Sequence, residues 1–167
     1  MVEAIPGFQD MAMVDGEPVY LFKKVQLLVM ELHSRFSKSN RELFHFHDID
    51  DMPTFSDNVI PMALYDLQII QLSVTNELSL RQIDIVEGLQ EDLRTGRETT
   101  AERSYIFRAA AVDAREIIVE IAREMPSAKE FIRNMTAGQI DAHLCQIAKQ
   151  GSTRDLTTFC DPNTIYF

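Results

Sequence analysis

The spacing of hydrophobic residues indicates helices along most of the chain. In three segments, apolar residues recur every three or four positions, which places them on one face of a helix. These segments run from Pro18 to Phe36, from Asp57 to Gln71 and from about Leu78 to Leu93. The third helix is expected to break at Gly88 and to close near Gly96, because glycine is a poor helix former and a common C-terminal cap.

Capping patterns mark the starts of the remaining helices. A Thr or Ser followed three residues later by Glu or Gln opens a helix, because the two side chains satisfy backbone N–H groups reciprocally. This pattern predicts helices over Thr99–Met125 and Thr136–Gln150, the second closed by Gly151, with a short helix opened by Ser127 between them. No pair of alternating runs joined by an Asn-Gly-like turn stands out, so no hairpin is predicted. The predicted fold class is all-α, as one compact helical domain spanning residues 1–167.

Composition and charge limit the functions open to the chain. Its 167 residues, of which 46% are hydrophobic, suffice for one substantial core. The net charge of -10 argues against any binding that neutralises many phosphates, since such binding requires clusters of Lys and Arg. Direct nucleic-acid binding is therefore not expected, although a pocket for one small phosphorylated ligand stays open.

The expected location is the cytoplasm, with the nucleus as an alternative. No apolar run is long enough to span a bilayer, and Glu3 and Asp10 are acidic where a targeting segment would be basic. Cys145 and Cys160 fit free thiols of a reducing compartment better than a disulfide framework. No membrane association and no cofactor are expected.

Asp57 is the first candidate for chemistry. It lies in the segment Thr54-Phe55-Ser56-Asp57-Asn58-Val59-Ile60-Pro61, at the entry of a predicted helix. Asp is a favoured N-cap, and at such a position it commonly does no more than accept backbone hydrogen bonds. The functional interpretation is that the carboxylate is catalytic and stabilises developing positive charge, positions a water or attacks directly. Both interpretations stay open.

Two adjacent lysines, Lys23 and Lys24, lie within the apolar stripe of the first predicted helix. Consecutive helical residues point about 100° apart, so the two side chains cannot face solvent equally. One is therefore a candidate for an inward-facing ligand contact. The structural alternative is that both lay their stems along apolar neighbours and keep the ammonium group in water.

Other polar residues have structural explanations at this stage. The segment from His45 to Asp48 has the spacing of two metal ligands, but no third or fourth ligand stands out, so no metal site is predicted. Asp141 falls early in a predicted helix, where the helix dipole favours an acid. Arg108 and Glu116, two turns apart, are expected to organise helix packing through buried polar contacts.

Six collinear segments resemble the queuosine salvage family. They are Ile5 to Phe8, Phe22 to Gln26, Asp48 to Pro61, Arg108 to Glu116, Ile140 to Leu144 and Thr164 to Phe167. The family carries a Y-K-R-A-Q-like pattern at the second of these places, an F-A-D-Y-R-V-P-like pattern at the third and an I-D-x-x-L-W-like pattern at the fifth. The resemblance implies that Asp57 is the catalytic carboxylate and that Lys23, Phe55 and Asp141 contact the substrate.

The resemblance also implies an activity and a partner. Members of the family hydrolyse the N-glycosidic bond of queuosine 5'-monophosphate and release the base queuine, so the implied substrate is a nucleotide or a related nucleoside. Family members are longer, and this chain resembles their C-terminal half, with no counterpart of the N-terminal half. A homo-oligomer or a protein partner would then complete the pocket.

Several residues of the family pattern are replaced, which leaves the activity open. A Tyr and an Arg after the aspartate have become Asn58 and Val59, a basic run has become the segment from Phe159 to Asn163, and a Trp has become Cys145. The lost cations would hold a phosphate, and the lost Trp would stack on a base. The alternatives are a hydrolase of an unphosphorylated nucleoside, or a catalytically inactive relative that acts as a protein-interaction module or one half of a larger assembly.

Overall fold

The structure is a computed structural model that describes residues 2–96, 98–149, 159–162 and 164–165. Most of these residues are helical, and a two-stranded antiparallel sheet lies near the N-terminus. The all-α prediction is therefore confirmed as a mostly helical fold, and the small sheet is the departure from it.

Seven α-helices occur in this part of the chain. They are α1 Lys23–Phe36, α2 Arg41–Phe44, α3 Val59–Asp66, α4 Leu80–Thr95, α5 Ala101–Glu124, α6 Glu130–Arg133 and α7 Ala137–Ala148. Helix α3 packs against both α5 and α7, and α5 also contacts α6, α7 and the sheet. None of the described helices has the length and apolar character needed to cross a membrane.

The sheet is a β-hairpin of β1 (Met11–Val14) and β2 (Glu17–Tyr20). The prediction of no hairpin is therefore wrong. Its turn is formed by Asp15 and Gly16, which have positive φ angles of 52° and 83°, and Asp-Gly is a favoured pair where both turn residues need positive φ. The all-apolar sequence of β1 concealed the strand, because an uninterrupted apolar run shows no period of two.

The first long helix begins later than predicted. Pro18 lies in β2 opposite Met13, and α1 starts at Lys23. Between them Phe22 adopts a left-handed conformation with φ 47°, which is uncommon for a bulky residue. The predicted end at Phe36 is confirmed. Five residues of the predicted helix thus belong to the hairpin and to the turn that follows it.

The bounds of α3 and α4 also differ from the predicted ones. Helix α3 ends at Asp66, before Gln71, and Gln68 just beyond it has a φ of 60°. Helix α4 runs unbroken through Gly88 and ends at Thr95, followed by Gly96, which takes the expected left-handed cap conformation. The Arg103 guanidinium group occupies the space that a Cβ at position 88 would fill, so a larger residue there would displace this side chain.

One of the three predicted capping patterns forms: Thr136 and Gln139 make the capping box of α7. The prediction for α5 is wrong by one residue, because its N-cap is Thr100, while Thr99 donates its hydroxyl hydrogen bond to Asp92 at 2.9 Å. The short helix predicted after Ser127 is α6, but its N-cap is Lys129 and no side chain caps it. The predicted stop at Gly151 lies outside the described residues.

The main hydrophobic core lies between α3, α5 and α7. Its most buried members include Ile60, Leu64, Leu89, Phe107, Ile140, Leu144 and Phe159. The ring of Phe107 contacts those of Tyr65 and Phe159, at centroid distances of 6.3 and 5.6 Å. Because these three helices share one packed core, the polar residues at their starts and along their inner faces are held in fixed relative positions.

Candidate active site

Asp57 lies two residues before α3, and its carboxylate caps the first two backbone N–H groups of the helix. Its Oδ1 accepts hydrogen bonds from the backbone N–H groups of Val59 at 2.8 Å and Ile60 at 3.2 Å. Its Oδ2 lies 3.2 Å from the ammonium nitrogen of Lys23. The structural role proposed from the sequence is therefore present, and it uses only one of the two carboxylate oxygens. The other oxygen forms an ion pair.

The surroundings of Asp57 favour its charged form. Burial by itself raises the pKa of this carboxyl group, but the Lys23 ammonium and the two backbone N–H donors outweigh it, so the pKa is lowered from its ordinary value of 3.8. The side chain is still 20% exposed. Asp57 is thus an anion that retains contact with solvent.

Lys23 is the inward-facing member of the lysine pair. Its side chain is 14% exposed and reaches Asp57 from the first turn of α1. Lys24 points elsewhere and donates to the backbone carbonyl of Ile165. The two adjacent lysines therefore have different partners, and only Lys23 contributes its charge to Asp57.

Asp141, in the first turns of α7, pairs with Arg115 of α5. Both residues are buried: the arginine side chain is inaccessible and the carboxylate is 8% exposed. Burial and the negative charge of Asp57 raise the pKa of Asp141, and Arg115 only partly offsets this. Nη2 of Arg115 has no hydrogen-bond partner within the described part of the chain. The Arg115–Asp141 pair is therefore drier and less fully satisfied than the Lys23–Asp57 pair.

A cleft of about 310 Å³ opens beside Asp141. Its described lining comes from α1, the segment 49–55 and the first turns of α7, and includes Met30, Phe55 and Asp141. Phe55 and Asp141 thus share one concave surface. Lys23 and Asp57 are not among these lining residues, although the charge of Asp57 acts on Asp141. The four predicted site residues therefore lie in two neighbouring pairs, Lys23 with Asp57 and Phe55 with Asp141.

Arg108 is buried as predicted, whereas Glu116 is exposed and the prediction for it is wrong. Arg108 forms a two-pronged ion pair with Asp10, at 2.9 and 2.5 Å, and both side chains are inaccessible to solvent. It also donates to the backbone carbonyl of Ser56, next to Asp57. Glu116 lies one residue beyond Arg115, on the outward side of α5.

The residues that stand where this chain departs from the family pattern have structural contacts. Asn58 donates a hydrogen bond to the backbone carbonyl of Phe159 at 3.2 Å, and the ring of Phe159 is buried in the main core. Cys145 lies one turn after Asp141, with its sulfur 4.0 Å from that carboxylate. Burial and the charge of Asp141 raise the pKa of the Cys145 thiol. Asp161, which lies in the segment that replaces the basic run, is also buried.

Three of the four histidines, His33, His45 and His47, pack together. The ring of His45 lies 5.4 Å from that of His33 and 4.7 Å from that of His47, measured between centroids. His33 accepts a hydrogen bond from the backbone N–H of Phe46 through Nδ1. Over residues 2–96, 98–149, 159–162 and 164–165, no group of three or more His, Cys, Asp or Glu side chains could hold a metal ion.

Comparisons with known sequences show the family to which the chain belongs. A sequence model described as the queuosine salvage protein family matches residues 1–167. The chain belongs to this family.

Two curated relatives share its sequence at modest identity. A queuosine 5'-phosphate N-glycosylase/hydrolase of Sphaerobacter thermophilus is 28% identical over 123 residues, which cover 70% of this chain and 38% of the relative. A protein of the same description from Dictyostelium discoideum is 30% identical over 88 residues, or 52% of this chain and 27% of the relative. The matched segments thus span well under half the length of these relatives.

Two residues of this site had no assigned role in the sequence analysis, Asp10 and Arg115. Each has an ion-pair partner far away in the sequence, at a separation of 98 residues for Asp10 and 26 for Arg115. No local pattern reveals such pairings. The one available signal was that Arg115 follows Arg108 by seven residues, two helical turns later on the same face of α5.

Proposed function

We propose that this chain hydrolyses the N-glycosidic bond of queuosine 5'-monophosphate or a related nucleoside and releases the base. Family membership and the names of the two relatives support this assignment. The observation that carries it is the Lys23–Asp57 pair, in which a carboxylate is kept ionised and partly exposed at the entry of a helix.

Asp57 is the proposed catalytic carboxylate. When a glycosidic bond breaks, positive charge develops at C1' of the sugar, and a fixed anion stabilises that charge most when it is already ionised and positioned. Asp57 meets both conditions, since Lys23 and two backbone N–H groups hold its carboxylate in place. Its remaining exposure of 20% also suits a role in positioning the attacking water.

Phe55 and Asp141 are the proposed contacts to the base. They line the same cleft, where the Phe55 ring offers an apolar surface and Asp141 a hydrogen-bonding edge. A flat base with N–H donors fits such a pair. Lys23 is the proposed link between the two sites, because its ammonium group also lowers the pKa of Asp141 while it pairs with Asp57.

The phosphorylation state of the substrate is the open element of this proposal. The described cations around the site already have partners: Lys23 pairs with Asp57, Arg115 with Asp141, and Lys24 with the carbonyl of Ile165. A 5'-phosphate would have to compete with these partners. An unphosphorylated nucleoside would not, so the two forms should be compared directly.

The experiment is product analysis with purified protein. Queuosine and queuosine 5'-monophosphate are incubated separately with the wild type and with Asp57→Asn, and the released base is measured by mass spectrometry. The proposal predicts queuine from at least one substrate with the wild type and a much lower rate with the variant. If the wild type releases no base from either substrate, the hydrolase assignment is wrong and the inactive-relative alternative stands.

A further inference from the structure

The buried ion pair between Asp10 and Arg108 lies behind the proposed site. Arg108 donates from Nη1 and Nη2 to the two carboxylate oxygens of Asp10, and the Tyr105 hydroxyl donates to the same carboxylate at 2.9 Å. The guanidinium also lies over the Tyr105 ring, 5.2 Å from its centroid. Asp10 precedes the hairpin and Arg108 lies on α5, so the pair joins two separate parts of the fold.

Each member of this pair also holds backbone next to a proposed site residue. Arg108 donates from Nε and Nη2 to the carbonyl of Ser56, at 3.0 and 2.8 Å, one residue before Asp57. Asp10 Oδ2 accepts the backbone N–H of Lys23 at 3.3 Å. A single ion pair therefore contacts the chain at both Lys23 and the residue preceding Asp57.

The backbone at the start of α1 depends on the same aspartate. The carbonyl of Asp10 accepts the N–H groups of Leu21 and Phe22, at 3.0 and 3.1 Å. Phe22 has a left-handed conformation, which costs free energy and persists only where the surroundings enforce it. The entry to α1, including Lys23, is thus fixed by three hydrogen bonds to Asp10, two to its carbonyl and one to its carboxylate.

A buried ion pair is a poor source of stability alone, because desolvation offsets much of its attraction and apolar residues of similar size often serve as well. What apolar residues could not supply here are the donors to Ser56 and the acceptor for Lys23. The geometry therefore indicates that the ion pair orients the backbone that carries Lys23 and Asp57.

We propose that Asp10 and Arg108 are positioning residues for the hydrolysis, and that their ion pair sets the distance between the Lys23 ammonium group and the Asp57 carboxylate. This inference rests on the proposed function, because it assigns the pair to that site. Its structural half, the control of the Lys23–Asp57 distance, is testable without any turnover.

The test follows the titration of the Asp57 carboxyl carbon by NMR in the wild type and in Arg108→Lys. The titratable or charged groups coupled to Asp57 are Lys23 of α1, Arg115 of α5, and Asp141 and Cys145 of α7. Lysine keeps the positive charge at position 108 but cannot form the forked contacts to Asp10 and Ser56. If Lys23 and Asp57 then move apart, the pKa of Asp57 rises.

Asp10→Asn gives a second, independent reading. Removal of a nearby negative charge would by itself lower the pKa of Asp57, whereas loss of the Lys23 contact would raise it. A rise in this variant therefore reports position and not charge. Should neither variant keep the native circular dichroism spectrum, Tyr105→Phe, which removes one hydrogen bond to Asp10, is expected to give a smaller rise.

Arg103→Lys is the matched control. Arg103 lies on the same helix and forms a largely buried ion pair with Asp92 at 3.1 Å, away from Lys23 and Asp57. It should lower stability while leaving the Asp57 titration unchanged. The positioning role is overturned if folded Arg108→Lys and Asp10→Asn, or Tyr105→Phe in their place, titrate Asp57 as the wild type does, or if Arg103→Lys shifts it equally.

Activity supplies the second readout. A misplacement of about 1 Å can lower a rate by about 10²-fold, so kcat of Arg108→Lys should fall roughly 10–100-fold, by a larger factor than KM rises. If the pKa of Asp57 rises in Arg108→Lys and Asp10→Asn, the control of the Lys23–Asp57 distance is supported. If the wild type has no activity at the same time, the proposed function is contradicted. An active wild type with unchanged kcat in Arg108→Lys would contradict the positioning role alone.

Discussion

Asp57 and Asp141 are both paired with a cation, yet their surroundings shift their pKa values in opposite directions. Asp57 receives an ammonium group and two backbone N–H donors, which together outweigh its burial and lower its pKa. Asp141 pairs with Arg115, but its side chain is less exposed than that of Asp57 and experiences the negative charge of Asp57, so its pKa is raised. An ion pair therefore does not by itself determine the protonation of a buried carboxyl group.

This difference separates the two proposed roles. A carboxylate that opposes positive charge at a sugar must stay ionised, and Asp57 has the surroundings that keep it so. Asp141 lines the cleft together with Phe55, where its carboxyl oxygens can accept hydrogen bonds from the N–H groups of a base. The predictions below test this separation of roles.

The largest expected effect is on turnover in Asp57→Asn. Asparagine can still accept the N–H groups of Val59 and Ile60, so the fold should persist, but it carries no charge to stabilise an oxocarbenium ion. We expect kcat to fall by about 10³-fold. Asp66→Asn, an exposed carboxylate at the end of the same helix, is the control and should behave as the wild type. Retained activity in Asp57→Asn would assign catalysis to another residue.

The second prediction concerns the stability that depends on Asp141. In Asp141→Leu the buried Arg115 loses its counter-charge, and we expect the free energy of unfolding to fall by roughly 3–5 kcal/mol, measured by denaturant titration. The double variant Asp141→Leu/Arg115→Met should recover most of this loss, since no unpaired charge remains. Equal losses in the single and double variants would show that the cost arises from packing.

A smaller effect is expected for the lysine. Lys23→Ala removes the cation that holds Asp57, so we expect kcat to fall by about 10–100-fold, as in Arg108→Lys, and KM to rise by about tenfold, the size of one charge-assisted hydrogen bond. Lys24→Ala is the matched control, because the neighbouring lysine reaches the Ile165 carbonyl and not Asp57. If both variants change KM equally, the effect comes from net charge and not from the ion pair.

The smallest effect is a pH dependence of stability. A lowered pKa in the folded state means that ionised Asp57 stabilises the fold above its ordinary value of 3.8, and this contribution disappears as the pH falls through the lower, folded-state pKa. The difference in unfolding free energy between the wild type and Asp57→Asn should therefore be larger near neutral pH than in strong acid. A difference that does not vary with pH would contradict the lowered pKa.

The sequence predicted those features that depend on local patterns. The capping box of α7 and the C-terminal cap at Gly96 follow from residues close together in the chain. The same holds for Asp57 as a helix cap. The apolar period also identified α1, although the prediction placed Pro18 in its first turn. The hairpin turn at Asp15 and Gly16 was overlooked.

The parts that the sequence analysis missed depend on contacts between distant residues. Arg108 was expected to be buried, but its partner Asp10 lies 98 residues away. The residues next to Asp10 form no pattern that marks it as a buried ion-pair partner. Arg115 likewise reaches Asp141 on a different helix. Such pairings arise when α5 packs against its neighbours, so no local spacing rule identifies them. The surroundings that give Asp57 and Asp141 opposite pKa shifts could therefore be described only from the folded chain.

The most direct test of this account is an NMR titration of the side-chain carboxyl carbons of Asp57 and Asp141 in the wild-type protein, with Asp57→Asn and Asp141→Asn used to assign the two signals. The account predicts that Asp57 titrates below and Asp141 above their common ordinary value of 3.8. The reverse order, or two carboxyl groups that titrate together, would contradict the division of roles between them.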